Sequence, residues 1–305
     1  MLQKNIKNSF EYSILLAFKP ILYYNLWYKY FNHNFMSVKT LDKPQPFIQW
    51  VGGKRKIADQ LIKFFPSRLN NYYEPFLGGG ALFFQVRDKF KQCYLSDINL
   101  ELVTSYNTIK KNPEQVSKLL DSYKEKHSKE HYYQVRSNND SNDPTKITAR
   151  FIYLNRYSFK GIYRINIDGK PAQTFSGRNY SKSDIAFRLK QCSQLLAGTS
   201  ICAMDFSFIE PQKNDFVYFD PPYHKSGEKF YTRLPFDENE QIRLRDFATE
   251  LNDKNVKIMV SNSDTPFIRN LYKNFNISTI KVKYSMPEHN KISDEVVITN
   301  YQLPQ

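Results

Sequence analysis

The residues Asp220-Pro221-Pro222-Tyr223 are the part of the sequence whose types and order most directly suggest chemistry. The apolar run Asp215-Phe-Val-Tyr-Phe-Asp220 predicts a buried strand that delivers Asp220 at its carboxyl end. Two prolines then fix the backbone and remove two N–H donors, so the carboxylate and the carbonyl after it become a rigid pair of acceptors. Such a pair matches the two N–H donors of an exocyclic amine, and Tyr223 offers a flat face for stacking a base. The alternative interpretation is a tight turn with a capping aspartate.

A second candidate site is the glycine-rich stretch Phe76-Leu-Gly-Gly-Gly80, which follows a predicted short strand at 71–75 and precedes a predicted helix at 81–88. Gly78 and Gly80 would let the backbone approach a ligand closely, at the end of a strand where nucleotide-like ligands bind. Asp97 ends the next predicted strand, seventeen residues after Gly80, near the spacing at which an acid meets a ribose hydroxyl pair. An ordinary turn and a helix-capping aspartate are the alternative.

Further stretches resemble, in content and order, the Dam-type DNA adenine-N6 methyltransferases, in the group that places its cofactor motif before the DPPY motif. They cover about residues 47–301 and comprise Gln49-Trp-Val-Gly-Gly-Lys54, Glu74-Pro-Phe-Leu-Gly-Gly-Gly-Ala-Leu-Phe-Phe84, Ser96-Asp-Ile-Asn99, Gly161-Ile-Tyr-Arg-Ile-Asn166, Asp220 to Tyr223, Ser261-Asn-Ser-Asp-Thr-Pro266 and Val296-Val-Ile-Thr-Asn-Tyr301. The resemblance implies an enzyme that uses S-adenosylmethionine and needs no metal.

The resemblance also assigns roles to individual residues. Trp50 and Lys54 would touch the cofactor, Phe76 to Gly80 would cradle it, and Asp97 would hold its ribose hydroxyls. Asp220 would serve both the cofactor and the target amine. Because adenine in a duplex hides its amine in the base stack, the base must be flipped out. Tyr223 would then stack on the flipped ring, while Asp220 and the Pro221 carbonyl accept its N–H bonds.

The segment 155–180 resembles the target-recognition hairpin of the family. Arg164 and Arg178 are candidates for bidentate guanine contacts, and Asn166 for a base or phosphate contact. Phosphate binding or salt bridging is the alternative for these residues. Lys160 is a further candidate DNA contact, although the family usually has Asn at its position. Such departures leave the recognition sequence open, with GATC or a related short site as the hypothesis.

Strands that alternate with helices predict a mostly parallel α/β sheet, and the resemblance makes it a Rossmann-like methyltransferase sheet. Runs at 277–284 and 295–301 predict an antiparallel closing pair. We expect residues 41–104 and 196–305 to form the catalytic domain, and 105–195 an inserted, mainly helical recognition domain. Residues 1–40 are interpreted as an N-terminal extension, with Met36 as an alternative start.

The charge and cysteine content of the chain indicate what kind of partner and environment the protein has. The chain has 44 basic and 30 acidic residues, a net charge of +14, and such an excess favours a polyanionic partner. Residues 105–195 hold 17 of the basic and eight of the acidic residues, so the polyanion should lie against this segment. Three scattered cysteines fit a reducing, cytoplasmic location and no disulfide framework, while His127 and His131 are interpreted as part of a solvated helix face.

Double-stranded DNA is the expected partner, with no membrane association, and a cognate restriction endonuclease would act as a separate protein. The enzyme could equally be a solitary methylase. Close alternatives are methylation of RNA adenine or of cytosine N4; Asp rather than Ser at position 220 favours adenine by family habit. A glutamine-protein methyltransferase usually begins this motif with Asn. A catalytically inactive DNA-binding relative is the alternative from another class.

Overall fold

The computed structural model describes residues 45–138, 141–161, 163–166, 169–179, 185–225, 236–285 and 290–303. The predicted N-terminal extension therefore lies outside the described residues. The described helices are α1 (Ala58–Ile62), α2 (Phe83–Val86), α3 (Leu100–Lys111), α4 (Pro113–Glu125), α5 (Lys129–Ser137), α6 (Pro144–Tyr157), α7 (Ile185–Leu196), α8 (Glu238–Asp253) and α9 (Pro266–Leu271). In this part of the chain, no helix combines the length and apolar character needed to cross a membrane.

Seven strands form one sheet in the order β3-β2-β1-β4-β5-β7-β6. They are β1 (Tyr72–Glu74), β2 (Cys93–Asp97), β3 (Ser200–Ala203), β4 (Phe216–Phe219), β5 (Lys257–Ser263), β6 (Asn276–Ser285) and β7 (Asn290–Thr299). The first five run parallel, whereas β7 is antiparallel to both of its neighbours. The predicted mixed α/β fold, mostly parallel with an antiparallel C-terminal strand, is confirmed.

Successive residues of a strand point to opposite sides of the sheet. Both sides carry buried apolar residues here, and helices cover each side. On one face, Tyr72, Phe216 and Tyr218 pack in a core with residues of α3, α4, α6 and α7. On the other, Val217 and Phe219 pack against α8 and α9. Helices from the segment 105–195 thus share a core with the sheet, and the proposed division of the chain at 104 and 195 stays a prediction.

Two local expectations were wrong. Strand β3 was not predicted, because it is short, lies close after a helix that ends at Leu196, and has Ile201 as its one buried residue. The second closing strand was expected at 295–301, but β7 already begins at Asn290. The register of β7 against β6 runs without interruption from Asn290 to Thr299, so the pairing extends the strand beyond the apolar residues that the pattern identified.

Candidate active site and nucleic-acid interface

The predicted catalytic and cofactor residues lie at one edge of the sheet. Strands β1, β2 and β4 are parallel neighbours, so their carboxyl ends meet there, and the glycine turn, Asp97 and Asp220 follow these three ends. Glu295 of β7 pairs with Ser263, the last residue of β5. Because β7 is antiparallel, this pairing brings its N-terminal half to the same edge.

The glycine turn is packed against Trp50. Gly78 and Gly80 have φ of +47° and +63°, a region that side-chain-bearing residues avoid. A Cβ atom at Gly78 would lie 2.7 Å from Cδ1 of Trp50, and one at Gly80 would lie 2.8 Å from the Tyr106 hydroxyl. Packing within the protein therefore already requires glycine at both positions, and it fixes Trp50 against the predicted cofactor turn.

The Asp97 carboxylate is held by two backbone donors. The Gly78 N–H donates to its Oδ2 at 2.9 Å, and the Asn99 N–H donates to its Oδ1 at 2.9 Å. Burial raises the pKa of Asp97, while these N–H donors favour the ionised form. A carboxylate has about four acceptor positions, so Asp97 can still accept hydrogen bonds from a vicinal diol.

Asp220 forms an ion pair with Lys54, although the two residues are far apart in sequence. Lys54 Nζ lies 2.8 Å from Oδ1 of Asp220 and donates to the Gly52 carbonyl at 2.7 Å. Burial raises the pKa of Asp220 to about 6, the Lys54 charge acts in the opposite direction, and the nearby Glu295 raises the pKa further. The carboxylate is thus mostly ionised at neutral pH and can act as an acceptor.

Tyr223 is held from two sides. Its hydroxyl donates to Oε2 of the buried Glu295 at 2.8 Å, and Lys54 Nζ lies 4.5 Å from the centre of its ring. One ring face is therefore covered by an ammonium group, which leaves the opposite face for stacking. Sequence reasoning missed Glu295, although it directly precedes the motif that begins at Val296.

Buried amides fix the backbone behind the Asp-Pro-Pro-Tyr motif. Gln241 Nε2 donates to the Pro222 carbonyl at 2.8 Å, and its Oε1 accepts from Asn262 Nδ2 at 2.9 Å. Asn262 in turn accepts from the His224 N–H at 3.0 Å. Because both amide side chains are fully buried, removing either would leave an unpaired polar group, and the loop geometry is strongly determined.

A fourth carboxyl group at this edge, that of Glu74, is neutral at pH 7. It ends β1 and accepts a hydrogen bond from the Tyr72 hydroxyl at 2.8 Å. Burial raises the pKa of Glu74 to about 8, so the group holds a proton at pH 7. Next to the ion pair of Lys54 and Asp220, Glu74 is therefore a protonated carboxyl group and adds no negative charge to that of Glu295.

Aromatic side chains line the edge beside the glycine turn. Phe76 stacks on Phe206 with ring centres 5.3 Å apart, and Phe206 follows β3 in a short 3₁₀ helix (Phe206–Phe208). Asp205, just before it, pairs with Arg243 at 2.7 Å, which lowers the pKa of Asp205 to about 2. Sequence reasoning missed Asp205, although the stretch Ser200-Ile-Cys-Ala-Met-Asp205 delivers an acid at a strand end as β2 and β4 do.

These residues fit an S-adenosylmethionine group. Asp97 can accept hydrogen bonds from a diol, the following residue Ile98 exposes 62% of its surface, and Phe208 of the loop after β3 exposes 72%. The Met204 N–H donates to the Asp97 carbonyl at 3.2 Å, which joins the two loops that hold these side chains. Exposed apolar surface near a carboxylate that has acceptor positions left for a diol suits a purine nucleoside.

The predicted recognition segment forms a hairpin. Ser158 bridges Phe175, and Ile165 bridges Pro171, both in antiparallel sense. Asn166 closes the turn, since its Oδ1 accepts the Lys170 N–H at 2.8 Å. One of its expected DNA-binding atoms is therefore already used inside the turn, which the sequence could not indicate.

The candidate DNA contacts on the hairpin are exposed to solvent. Lys160, Arg164, Asn166 and Arg178 all lie on its surface, and Lys160 adopts a left-handed φ of +59°. Phe159, which sequence reasoning did not single out, exposes 56% of its surface beside Lys160. The hairpin thus presents cations and one aromatic side chain to solvent, whereas the candidate catalytic residues Asp220 and Tyr223 are half-buried at the sheet edge.

The expectation of a solvated histidine face was wrong. His127 Nδ1 lies 2.8 Å from the Tyr153 hydroxyl, and its Nε2 lies 3.0 Å from the Arg178 carbonyl. Both His127 and His131 also pack against the ring of Tyr153. Helical spacing alone suggested a surface pair, but the hairpin covers His127 and makes it a support for the backbone at Arg178.

Comparison with known proteins identifies the family. A family model described as D12 class N6 adenine-specific DNA methyltransferase matches residues 50–286. The Type II methyltransferase M1.LlaDCHI of Lactococcus lactis subsp. cremoris is 35% identical over 274 residues, which cover 84% of this chain and 95% of that protein. The Type II methyltransferase M.MjaIII of Methanocaldococcus jannaschii is 35% identical over 264 residues, covering 78% and 91%.

The DNA adenine methylase of Haemophilus influenzae is 28% identical over 265 residues, covering 83% of this chain and 91% of that protein. These matches confirm the expected activity and methyl donor. The chain belongs to the D12 class of N6 adenine-specific DNA methyltransferases, enzymes that transfer a methyl group from S-adenosylmethionine to adenine in DNA.

Proposed function

We propose that this methyltransferase modifies a flipped-out adenine within one short site of double-stranded DNA, as the modification partner of a separate restriction endonuclease. The cluster of Lys54, Asp220, Tyr223 and Glu295 at the sheet edge carries the proposal. It provides an ionised acceptor and an oriented aromatic ring in one buried place. Relatives that are named Type II methyltransferases support the restriction-modification assignment.

Asp220 and the Pro221 carbonyl accept the two N–H bonds of the target amine in this proposal. A protonated Asp220 would lose acceptor capacity, so the carboxylate must be ionised, as its pKa of about 6 allows at neutral pH. Bound S-adenosylmethionine supplies a methyl group activated by its positively charged sulfur. The protein contributes mainly by positioning the amine, which can account for several kcal/mol of the barrier, up to about 7–11 in favourable cases.

Tyr223 stacks on the flipped adenine with the face opposite Lys54. Flipping costs a few kcal/mol, and stacking on an aromatic ring returns about 1–3 kcal/mol per base. The Pro222 carbonyl, held by Gln241, keeps the Tyr223 backbone in place. The roles of Trp50, Lys54, Phe76, Gly78, Gly80 and Asp97 in holding the cofactor belong to the same proposal.

The hairpin at 158–178 reads the site. Arg164 and Arg178 contact guanines, and Lys160 and Asn166 contact phosphates or bases. Support comes from their shared exposure on one hairpin and from the excess of positive charge in residues 105–195. GATC or a related sequence is our hypothesis for the site.

The test uses genomic DNA free of N6-methyladenine, the purified protein and S-adenosylmethionine, followed by single-molecule sequencing. We expect marks on adenine in one short motif and none with Asp220→Ala, whose thermal unfolding should show that it is folded. Arg164→Ala and Arg178→Ala should relax or weaken the motif. Marks only on cytosine N4, transfer only to RNA, or an active Asp220→Ala enzyme would contradict the proposal.

A further inference from the structure

A buried asparagine ties the base of the recognition hairpin to the segment that contains Trp50. Asn155 is 1% exposed; it accepts the Gln49 N–H at 2.9 Å and donates to the Gln49 carbonyl at 2.8 Å. The same amide donates to the Gly161 carbonyl at 3.1 Å. Gly161 is itself covered by Gln49, since a Cβ there would lie 2.0 Å from Gln49 Oε1. Residues 49–50 and the hairpin base therefore form one unit.

Tyr163 extends this connection to the Trp50 side chain. The two rings stack with centres 5.5 Å apart and an interplanar angle of 22°. Trp50 also packs against the glycine turn, so close to Gly78 that there is no room for a Cβ atom at that position. One stack of side chains thus connects the hairpin to the predicted cofactor turn.

Tyr163 is also anchored beneath the hairpin. It is buried, and its hydroxyl donates to Oε2 of Glu101 at 3.3 Å. Glu101 forms an ion pair with Arg150 of α6. As long as the backbone at Tyr163 keeps its position, the Tyr163 ring therefore stays against Trp50. The following residue, Arg164, lies on the exposed surface, so a ligand that holds Arg164 also restrains Tyr163.

We propose that Tyr163 is a positioning residue that holds Trp50 against the glycine turn and thereby couples occupation of the recognition hairpin by DNA to the affinity for the cofactor. The inference rests on the proposed roles of the hairpin and of the glycine turn. DNA bound at Arg164 restrains the backbone that carries Tyr163 and so further favours the arrangement in which Trp50 lies against the glycine turn. A ligand that meets an already ordered site binds more tightly.

Coupling of this kind is reciprocal: DNA must tighten cofactor binding by the same factor by which the cofactor tightens DNA binding. We expect a factor of about five or more in the wild-type protein, the lower end of typical couplings. The probe is S-adenosylhomocysteine, titrated by calorimetry with and without a duplex that contains the site found by sequencing. Tyr163→Met fills a similar volume without an aromatic ring and should reduce the factor to below about two, while Tyr163→Phe keeps the stack and should retain it.

A spectroscopic readout is independent of cofactor binding. The protein has two tryptophans, Trp27 and Trp50, so Trp27→Phe leaves Trp50 as the single emitter. Adding duplex alone should change the Trp50 emission, and Tyr163→Met in the same background should abolish that change. Because this readout also reports directly on the wild-type ring stack, the inference stays testable if Tyr163→Met fails to fold.

The outcomes separate this inference from the proposed function. A wild-type enzyme that methylates DNA but shows the same cofactor affinity with and without duplex overturns the coupling while leaving the proposed function intact. Full coupling in a folded Tyr163→Met variant, or unchanged Trp50 emission on DNA binding, overturns it as well. Absence of methylation and of cofactor binding in the wild type would reject the proposed function itself.

Discussion

Removing the positive charge of Lys54 should shift the acid limb of the pH–rate profile to higher pH. In Lys54→Met the ammonium group that lies 2.8 Å from Asp220 is lost, while most of the buried volume is kept. An opposite charge this close lowers a carboxyl pKa by about 1–3 units. The pKa of Asp220, about 6 in the intact site, should therefore rise by about two units in the variant.

The size of the effect follows from the ionised fraction of Asp220. With a pKa of about 6, the carboxylate is about 90% ionised at pH 7; two units higher, it is about 10% ionised. If the ionised form is the acceptor of the target amine, kcat/KM for DNA at pH 7 falls about tenfold. The loss should disappear as the pH approaches about 9, because the carboxylate then ionises in the variant too.

The assay measures kcat/KM for a duplex with the methylated site, from about pH 5.5 to about pH 9.5 at constant ionic strength and saturating S-adenosylmethionine. Saturation keeps any cofactor contact of Lys54 out of the comparison. Lys54→Arg is the matched control, since it keeps the charge and should keep the acid limb near that of the wild type. An acid limb at the wild-type pH in Lys54→Met would refute the electrostatic argument, whatever the loss in absolute rate.

Two further changes test the same edge of the sheet. Glu295→Gln keeps an acceptor for the Tyr223 hydroxyl but removes a like charge that raises the pKa of Asp220, so its acid limb should shift to lower pH; a shift in the other direction would contradict the assigned charge. Gly78→Ala should lower the free energy of unfolding by about 1–3 kcal/mol in denaturant titrations, because its Cβ would lie 2.7 Å from a neighbouring ring atom. Gly177→Ala is the matched control, because Gly177 has a φ of +74° and a Cβ atom there would meet no atom within 4 Å. An equal loss of unfolding free energy in both variants would show that backbone strain, and not the contact with Trp50, is the cause.

Much of the sheet edge could be predicted, because local patterns determine it. The runs that end at Asp97 and Asp220 became β2 and β4, and the glycine turn follows β1 as expected. Each depends on a few consecutive residues whose polarity changes sharply at the end of the strand. The closing antiparallel pair was also confirmed, from the apolar residues of β6 and β7.

Contacts between distant residues could not be predicted. Lys54 and Asp220 meet because the turn before α1 and the end of β4 lie at one edge, and no spacing in the sequence encodes that distance. Glu295 reaches Tyr223 only because β7 pairs with β5 in one particular register. His127 was misinterpreted for the same reason, since its partners come from α6 and from the hairpin.

The position of β7 has a consequence for synthesis of the enzyme. This strand lies between β5 and β6 in the sheet, although it follows both of them in the chain. Until residues 290–299 leave the ribosome, β5 keeps an unpaired edge, and Tyr223 lacks the Glu295 acceptor of its hydroxyl. Domains generally fold as units as they emerge. A nascent chain therefore lacks the Glu295–Tyr223 contact of the proposed catalytic site until β7 is made and paired.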